Sequence, residues 1–322
     1  MKQLVGKLVL AAAAALTTVT CAAADVYPSR PVTILVGYVP GGSPDRIARL
    51  LAKRLSEVLG QPFVIENKPG AGGTLATGMA KRAAADGYTL LMGETGQLVI
   101  SPYVFKSLPY DTLKDFTPVA RVSSEPVLLV SSQNAPFSSL DELLRVTKAN
   151  PGKYNYGSSG IGTIHHIAME SFLATAGIKM NHIPYKGSGQ SIPAILAGDV
   201  PLIVTGSATA VPHARTGKIK MLAVSTHPVP TLPNVPFIGE TYKDYDFASE
   251  IGVLVQRGAP AEVVNKLTEA ISQICKEPDF SKRLSEAGPS VAYLSPTAYA
   301  ENLRAQLKKY ETATKVAGIK PN

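Results

Sequence analysis

Tryptophan is absent from this chain of 322 residues, and cysteine occurs only twice, at Cys21 and Cys275. Because no Cys-x-x-Cys pair exists, the sequence does not indicate thiol–disulfide chemistry. Removal of an N-terminal leader that contains Cys21 would leave one cysteine and exclude an intramolecular disulfide. A chain of this length can bury a core large enough to do without one. Cys275 is therefore expected to be a small core residue on a helix.

The chain also lacks an apolar run long enough to span a bilayer. The N-terminal candidate, "LVLAAAAAL" (8–16), is too short for this. It follows Lys2 and precedes Ala22–Ala24, an order that is typical of a cleavable secretory signal. We therefore expect residues 1–24 to be a signal peptide, and the mature chain to be exported and to begin at Asp25.

Neither basic nor acidic residues are concentrated in any one part of the sequence. The chain has 32 basic and 24 acidic residues, which gives a formal net charge of +8. It has no arginine-rich run and no aromatic interleaving of the kind that nucleic-acid grooves use. No nucleic-acid partner is therefore predicted, and the mild positive field favours small anions.

Signatures of several enzyme classes are missing as well. The sequence has no P-loop and no dinucleotide-binding Gly-x-Gly-x-x-Gly. A nucleophile elbow needs Gly-x-Ser-x-Gly, whereas "GSSGI" (157–161) spaces its glycines three apart. His165 and His166 are adjacent and point in different directions, so they do not make a zinc-binding helix. We therefore predict no catalytic residue, no metal ion and no cofactor.

The sequence does contain a series of short, nearly continuous apolar runs. Such runs are typical of strands buried on both faces, as in a parallel sheet covered by helices. These runs lie at 32–37, 88–93, 126–132, 200–206, 219–225 and 252–256. Helical periodicity alternates with them at 44–59, 139–149, 164–176, 188–197, 261–276 and 296–316. The chain is therefore predicted to be an α/β protein.

The length of the chain favours two domains over one. Strands near 124–132 and 247–256 are the expected crossings between them. This division places residues 25–125 and 250–322 in a discontinuous first domain, and residues 126–249 in a second domain.

Loops rich in glycine and hydroxyl residues follow several predicted strands, where open α/β sheets bind their ligands. In "GYVPGGSPD" (37–45), Gly41 and Gly42 let the backbone approach a ligand. Ser43 is a suitable N-cap and Pro44 a suitable first helical residue, so a helix N-terminus that favours an anion is expected here. Similar loops lie at 93–96, 156–163, 186–189 and 205–208. They suggest two sheets that face each other across a cleft.

Two features leave alternatives open. Thr163 is the expected cap of the helix that follows "YGSSGIGT", which makes this loop half of an anion clamp. The same loop could instead supply an exported hydrolase with Ser158 or Ser159 as nucleophile and His166 as base. Glu94 could face the cleft and select a cationic or neutral solute, or it could turn outward into solvent.

Residues 27–93 resemble the start of the Bug family, the substrate-binding proteins of tripartite tricarboxylate transporters. The resemblance continues through "LPYDTLKDFTPVA" (108–120), "NYGSSGIGTIHH" (155–166), "HIPYKGSGQSIPAILAGDV" (182–200) and "HARTGKIKMLAVST" (213–226). It covers essentially the whole mature chain. It implies the type II periplasmic binding protein fold, with two α/β domains and a ligand cleft between them, and a non-catalytic monomer in the periplasm.

The same resemblance implies a small carboxylate ligand, which could be a di- or tricarboxylate, an acidic amino acid or an aromatic acid. It implies that backbone N–H groups hold the carboxylate. The implied partners are the membrane subunits of a tripartite tricarboxylate transporter or a sensor protein. Carried over residue by residue, the implied ligand-binding residues are Tyr38, Pro40, Gly41, Gly42, Ser43, Asp45, Glu94, Thr95, Ser158, Ser159, Gly160, Gly162, Thr163, His166, Thr205 and Gly206.

The chain departs from the family pattern at three places. The first loop reads "GGSPD" where "GGGTD" or a similar sequence is frequent. Glu94 stands where small or hydroxyl residues are common. Thr205 and Gly206 stand where an acidic residue and an amide are often found. Because these positions contact the far end of the ligand in the family, the ligand itself is not predicted.

Overall fold

The computed structural model describes residues 27–321, except 227–231, 233, 244 and 287. The predicted signal peptide (1–24) therefore lies outside the described residues. Within the described part, no helix combines the length and apolarity that a membrane crossing requires.

Ten strands lie in the described part of the chain, and they join into one mixed sheet with two halves. They are β1 (Val32–Val36), β2 (Phe63–Asn67), β3 (Thr89–Glu94), β4 (Phe116–Ser132), β5 (Asn155–Ser158), β6 (Asn181–Pro184), β7 (Leu202–Gly206), β8 (Ile219–Val224), β9 (Ala248–Gln256) and β10 (Ser290–Leu294).

Helices connect these strands. They are α1 (Ser43–Leu59), α2 (Thr74–Arg82), α3 (Ser101–Val104), α4 (Thr112–Asp115), α5 (Leu140–Ala149), α6 (Ile164–Ala176), α7 (Ser188–Ala197), α8 (Ser207–Arg215), α9 (Ala261–Lys276), α10 (Pro278–Glu286) and α11 (Pro296–Val316). The mixed α/β class predicted from the sequence is confirmed.

Strand β4 belongs to both halves of the sheet. From Phe116 to Pro126 it pairs with β9, and β10 lies on its other side. From Val127 onward it pairs with β7 on one side and β8 on the other. The first half has the order β2-β1-β3-β9-β4, and the second continues from β4 through β7 and β5 to β6. Strand β4 therefore runs through both halves of the sheet, and the crossing between domains near 124–132 and the domain boundaries stay predictions.

The prediction that the apolar runs form parallel strands is wrong for part of the sheet. Strands β1, β2 and β3 are parallel, as are β5, β6 and β7. Strands β4 and β9, however, are antiparallel to their neighbours. The side chains of Val127–Val130 are nevertheless fully buried, because the sheet is covered on both faces. A continuous apolar run in the sequence therefore indicates a strand that is buried on both faces, but it does not show whether the strand is parallel or antiparallel to its neighbours.

Several elements carry too weak a sequence signal to be predicted. Strands β5 and β6 have only four residues each, and β6 is largely exposed. Helix α8 contains Pro212 in its interior, which is unfavourable in a helix by sequence criteria. By contrast, α6, α7, α9 and α11 occupy the ranges that the apolar periodicity predicts.

The core is built from the faces that the sequence pattern indicates. Leu51 and Leu55 of α1 pack against the first half of the sheet, together with Ile271 of α9. Cys275 lies in the same cluster, buried and free of any disulfide, as expected. The core thus positions the carboxyl ends of β1, β5 and β7, where the loops of the candidate site begin.

Candidate functional site

A small pocket lies where the two halves of the sheet meet. This inner pocket has a volume of about 30 Å³. It is lined by Tyr38, Val39, Gly42, Ser43, Pro44, Glu94, Glu125, Ser159, Thr163, Ile164, His165, Gly187, Ser188, Gly206 and Ser249.

Within the described residues, four helices begin at the inner pocket. Their N-cap residues, which all line it, are Gly42 (α1), Thr163 (α6), Gly187 (α7) and Gly206 (α8). The first N–H groups of a helix have no intrahelical acceptor, and the helix dipole is positive at this end. These four helix N-termini therefore contribute partial positive charge to the inner pocket, which favours a negatively charged group close to them.

A larger outer cleft adjoins the inner pocket and has a volume of about 620 Å³. The two share Tyr38, Val39, Ser159, Thr163 and Gly187. The outer cleft adds apolar and aromatic groups, together with one lysine, and among its lining are Phe105, Ile161, Pro184, Tyr185 and Lys186.

The structure brings together part of the predicted binding set. Of these residues, Tyr38, Gly42, Ser43, Glu94, Ser159, Thr163 and Gly206 line the inner pocket, and Gly160 lines the outer cleft. Pro40, Gly41, Asp45, Thr95, Ser158, Gly162, His166 and Thr205 are not in either lining. Direct contact of the first set with a ligand stays a prediction.

Asp45 organises its loop rather than facing the inner pocket. Its carboxylate accepts hydrogen bonds of 2.9 Å from Gly41 N and from Asn67 Nδ2, and it forms an ion pair of 2.9 Å with Arg49. Burial raises the pKa of Asp45, but the hydrogen bonds from Arg49, Gly41 and Asn67 outweigh it and hold the pKa below 3.8. Gly41 itself has φ of +85°, which glycine adopts without strain.

Ser43 is not the N-cap of helix α1, contrary to the sequence-based prediction. Gly42 takes that position with extended backbone angles, so Ser43 is the first helical residue and Pro44, which was predicted to be the first, is the second. The Ser43 hydroxyl instead donates a short hydrogen bond to Glu125. A serine hydroxyl that caps its own helix accepts from the backbone, whereas this one donates to a carboxylate on β4.

Glu94 at the end of β3 is buried, with 3% of its surface exposed, so the alternative of a solvent-facing side chain is wrong. Its carboxylate accepts from Tyr38 Oη at 2.6 Å, Ser249 Oγ at 2.8 Å and Gly96 N at 2.7 Å. Burial raises the pKa of Glu94 above 4.5, and these three donors only partly offset the effect. Thr95, the next residue, accepts from Glu250 N at 2.8 Å and ties β3 to β9.

Glu125 is the main residue of this pocket that the sequence-based prediction missed. It is 1% exposed and accepts from Ser43 Oγ, from Ser207 Oγ at 3.1 Å and from Ala208 N at 2.6 Å. Burial raises its pKa, and the nearby charge of Glu94 raises it further. A charged residue placed directly before the apolar run 126–132 was the available signal.

His165, and not the predicted His166, lines the inner pocket. Thr163 caps helix α6 as predicted and accepts from His166 N at 3.4 Å. The His166 ring accepts from Gly162 N at 3.2 Å and stacks on His182 with ring centroids 4.0 Å apart. His166 therefore stabilises the loop through Gly162 without lining the pocket.

The nucleophile pairs proposed for a hydrolase are not formed with His166. Ser159 makes a short hydrogen bond with His165 Nδ1, and Ser158 lies 2.6 Å from His182 Nε2. Burial lowers the pKa of His165 and of His182 to about 4. Both rings are consequently neutral near pH 7.

At the end of β7, Gly206 lines the inner pocket and Thr205 does not. The Thr205 hydroxyl is 2.8 Å from the Thr209 hydroxyl, inside the protein. A Cβ atom at Gly206 would lie 2.5 Å from Glu125 Oε1. Glycine at this position therefore leaves the space that the Glu125 carboxylate occupies.

A family model described as the tripartite tricarboxylate transporter family receptor matches residues 47–319. Among solved structures, Rpa4515 of R. palustris with adipate is 32% identical, with a TM-score of 0.89, covering 92% of this chain and 100% of that chain. The periplasmic binding protein BugD is 30% identical, with a TM-score of 0.86 and coverages of 92% and 100%. MatC from Rhodopseudomonas palustris with bound malate is 30% identical, with a TM-score of 0.83 and coverages of 89% and 99%.

These matches extend over nearly the whole described chain, and the fold is that of periplasmic binding proteins, as predicted. The chain belongs to the tripartite tricarboxylate transporter receptor family, which confirms the resemblance to the Bug family. This family is one of solute-binding proteins and not a class of enzymes.

Proposed function

We propose that this chain binds a small carboxylate in the inner pocket and the adjoining outer cleft. The observation that carries the proposal is the convergence of four described helix N-termini on the inner pocket. Oriented N–H groups and positive dipole ends stabilise an anion without a cationic side chain. Each charge-assisted hydrogen bond of this kind contributes about 1.5–3 kcal/mol.

Both halves of the sheet supply such N–H groups. Ile164 and His165 begin helix α6, and Ser43 begins helix α1, so their backbone N–H groups have no acceptor within their own helix. The outer cleft has room for the remainder of a di- or tricarboxylate, an acidic amino acid or an aromatic acid. The adipate and malate named for two structural relatives support this ligand class.

The proposal includes a compartment and partners. The mature chain acts in the periplasm as a monomer, with residues 25–125 and 250–322 closing against 126–249 around the ligand. It then delivers the ligand to the membrane subunits of a tripartite tricarboxylate transporter, or reports it to a sensor protein. N-terminal sequencing of periplasmic material should start at or near Asp25, whereas a start at Met1 would contradict export with cleavage.

A thermal-shift screen tests the ligand class. The panel contains mono-, di- and tricarboxylates, acidic amino acids and aromatic acids, each beside its methyl ester. A ligand at 100 times its Kd stabilises the folded protein by about 2.7 kcal/mol, which a melting curve detects. Free acids should raise the melting temperature and their esters should not. Stabilisation by esters, sugars or amines, with no effect of any free acid, would show that the pocket does not select a carboxylate.

A further inference from the structure

Glu125 presents an unused hydrogen-bond acceptor at the inner pocket. An ionised carboxylate has about four lone-pair positions. Glu125 receives three hydrogen bonds, from Ser43, Ser207 and Ala208, and it lines the pocket. No other described residue donates to Glu125, so one acceptor position is left for a group in the pocket.

Glu94 is the other acidic residue that lines the inner pocket, and its hydrogen bonding is similar. It receives hydrogen bonds from Tyr38, Ser249 and Gly96, and it too lines the inner pocket. One of its roughly four acceptor positions is also not used by any described residue. Both glutamates line the same pocket, and the charge of Glu94 adds to the burial that raises the pKa of Glu125.

The start of helix α6 offers the opposite chemistry. Ile164 and His165 provide backbone N–H donors, and His165 Nε2 is buried with no hydrogen-bond partner among the described residues. When His165 Nδ1 accepts from the Ser159 hydroxyl, Nε2 carries the proton and is a further donor. Among the described residues that line the inner pocket there is no lysine or arginine. The inner pocket therefore has donors at α6 and acceptors at the glutamates.

We propose that Glu125 and Glu94 determine specificity in this pocket by accepting hydrogen bonds from an ammonium or hydroxyl group of the ligand and by rejecting a second carboxylate at that end. This inference rests on the proposed function, because it needs the ligand carboxylate at the helix N-termini. A second carboxylate beside two buried carboxylates would meet like charge without a cation to compensate it. The preferred ligand is a monocarboxylate that carries an amino or hydroxyl group.

Matched ligands of equal length test this preference. The pairs are β-alanine with malonate, 4-aminobutanoate with succinate and 6-aminohexanoate with adipate, each accompanied by the corresponding hydroxy acid. Affinity is measured by isothermal titration calorimetry on the mature wild-type chain. Because juxtaposed like charges cost several kcal/mol, an amino or hydroxy acid should bind at least about tenfold more tightly than the diacid of its length.

Two variants test the Glu125 carboxylate in different ways. Glu125→Gln neutralises it in place. Gly206→Ala displaces it, because the new Cβ would lie 2.5 Å from Glu125 Oε1, and Gly206 has a φ of −79° that alanine adopts easily. Glu170→Gln is the control, since Glu170 is a partly buried carboxylate that accepts from Tyr156 outside the pocket. Melting curves of each ligand-free variant verify the fold.

We expect Glu125→Gln and Gly206→Ala to reduce the preference over diacids about tenfold or more, and Glu170→Gln to keep it. Diacids that bind more tightly than their amino and hydroxy partners to wild type, with the same order in Glu125→Gln, would overturn the inference and leave the proposed function standing. If no carboxylate of any kind binds the wild-type chain, the proposed function fails, and the inference fails with it.

Discussion

The hydroxyl of Ser43 at the start of helix α1 donates its hydrogen bond to Glu125 on β4, and not to its own helix. The same carboxylate accepts from Ala208 at the start of helix α8. One buried side chain thus satisfies donors from the first turns of two helices, one on each half of the sheet.

Ser43→Ala should lower the free energy of unfolding by about 1.5–3 kcal/mol, because it leaves a buried charged acceptor without one of its donors. Urea titration measures the loss. Ser139→Ala provides a comparison, since Ser139 is a true N-cap that accepts from Glu142 N at 3.2 Å. Loss of that cap should cost about 1 kcal/mol. A smaller effect at Ser43 than at Ser139 would argue against the buried bond.

The two buried glutamates should make the protein less stable as pH rises. Their pKa values in the folded state are raised above 4.5 by burial. Between the unfolded and the folded pKa, the folded state binds more protons, so the free energy of unfolding falls with increasing pH. Glu125→Gln removes this contribution. Urea titrations from about pH 4.5 to about pH 7.5 should therefore show the variant gaining stability relative to wild type as pH rises. If the difference in the free energy of unfolding between variant and wild type does not change with pH, the raised pKa of Glu125 is contradicted.

One buried histidine, His166, and two partly buried ones, His165 and His182, have the opposite effect. Burial lowers the pKa of His165 and His182 from 6.5 to about 4, and burial together with the charge of His182 lowers that of His166 to about 3. Below pH 6.5 the unfolded chain takes up protons that the folded chain does not, so stability is lost as pH falls from about 6.5 towards about 4.

His182→Gln should flatten this acid loss of stability, which denaturant titration at a series of pH values would detect. His213→Gln is the control, because His213 lies partly exposed on helix α8 and outside the stacked pair of His166 and His182. If the free energy of unfolding falls as steeply with decreasing pH in His182→Gln as in His213→Gln, burial of the His182 ring does not cause the acid loss of stability.

Substitutions at two glycines should have different effects, one on ligand binding and the other on stability. Gly42 lines the inner pocket with φ of −72°, and its nearest contact for a new Cβ is 3.5 Å away, so Gly42→Ala should fold normally and weaken carboxylate binding. Gly162 has φ of +74°, and a Cβ there would lie 2.9 Å from Val104. Gly162→Ala should therefore lower the melting temperature, with a cost of about 1–2 kcal/mol from the backbone alone. Ligand-free melting curves and titration with the best acid of the screen distinguish the two effects; equal stability of both variants would contradict this assignment.

Ligand binding should compact the molecule if the halves close about β4 and β9. The motivation is that β4 pairs with β9 up to Pro126 and with β7 from Val127 onward. Small-angle scattering should show a smaller radius of gyration with saturating ligand, while circular dichroism shows unchanged secondary structure. An unchanged radius under saturating ligand would count against closure between the halves.

Part of the site follows from local sequence and part does not. Thr163 as the cap of α6 was predictable, because capping depends on a hydroxyl followed directly by a helical pattern. Which of His165 and His166 meets the pocket was not, since adjacent helix positions differ by about 100° and the helix phase is set by packing. The resemblance alone assigned Asp45 to the ligand, and its bond to Asn67 was not predictable because Asn67 lies on β2, a strand that the sequence pattern did not reveal.

The sequence by itself determined the α/β class, the bounds of the long helices and the loops that open them, because apolar periodicity and glycine-rich turns act over a few residues. Only the tertiary structure decided the antiparallel pairing of β4 and β9 and the position of Glu125. That glutamate lies 82 residues from Ser43 and 82 residues from Ser207 along the chain, and it meets both inside the protein. Such contacts depend on how distant segments pack, which no local pattern specifies.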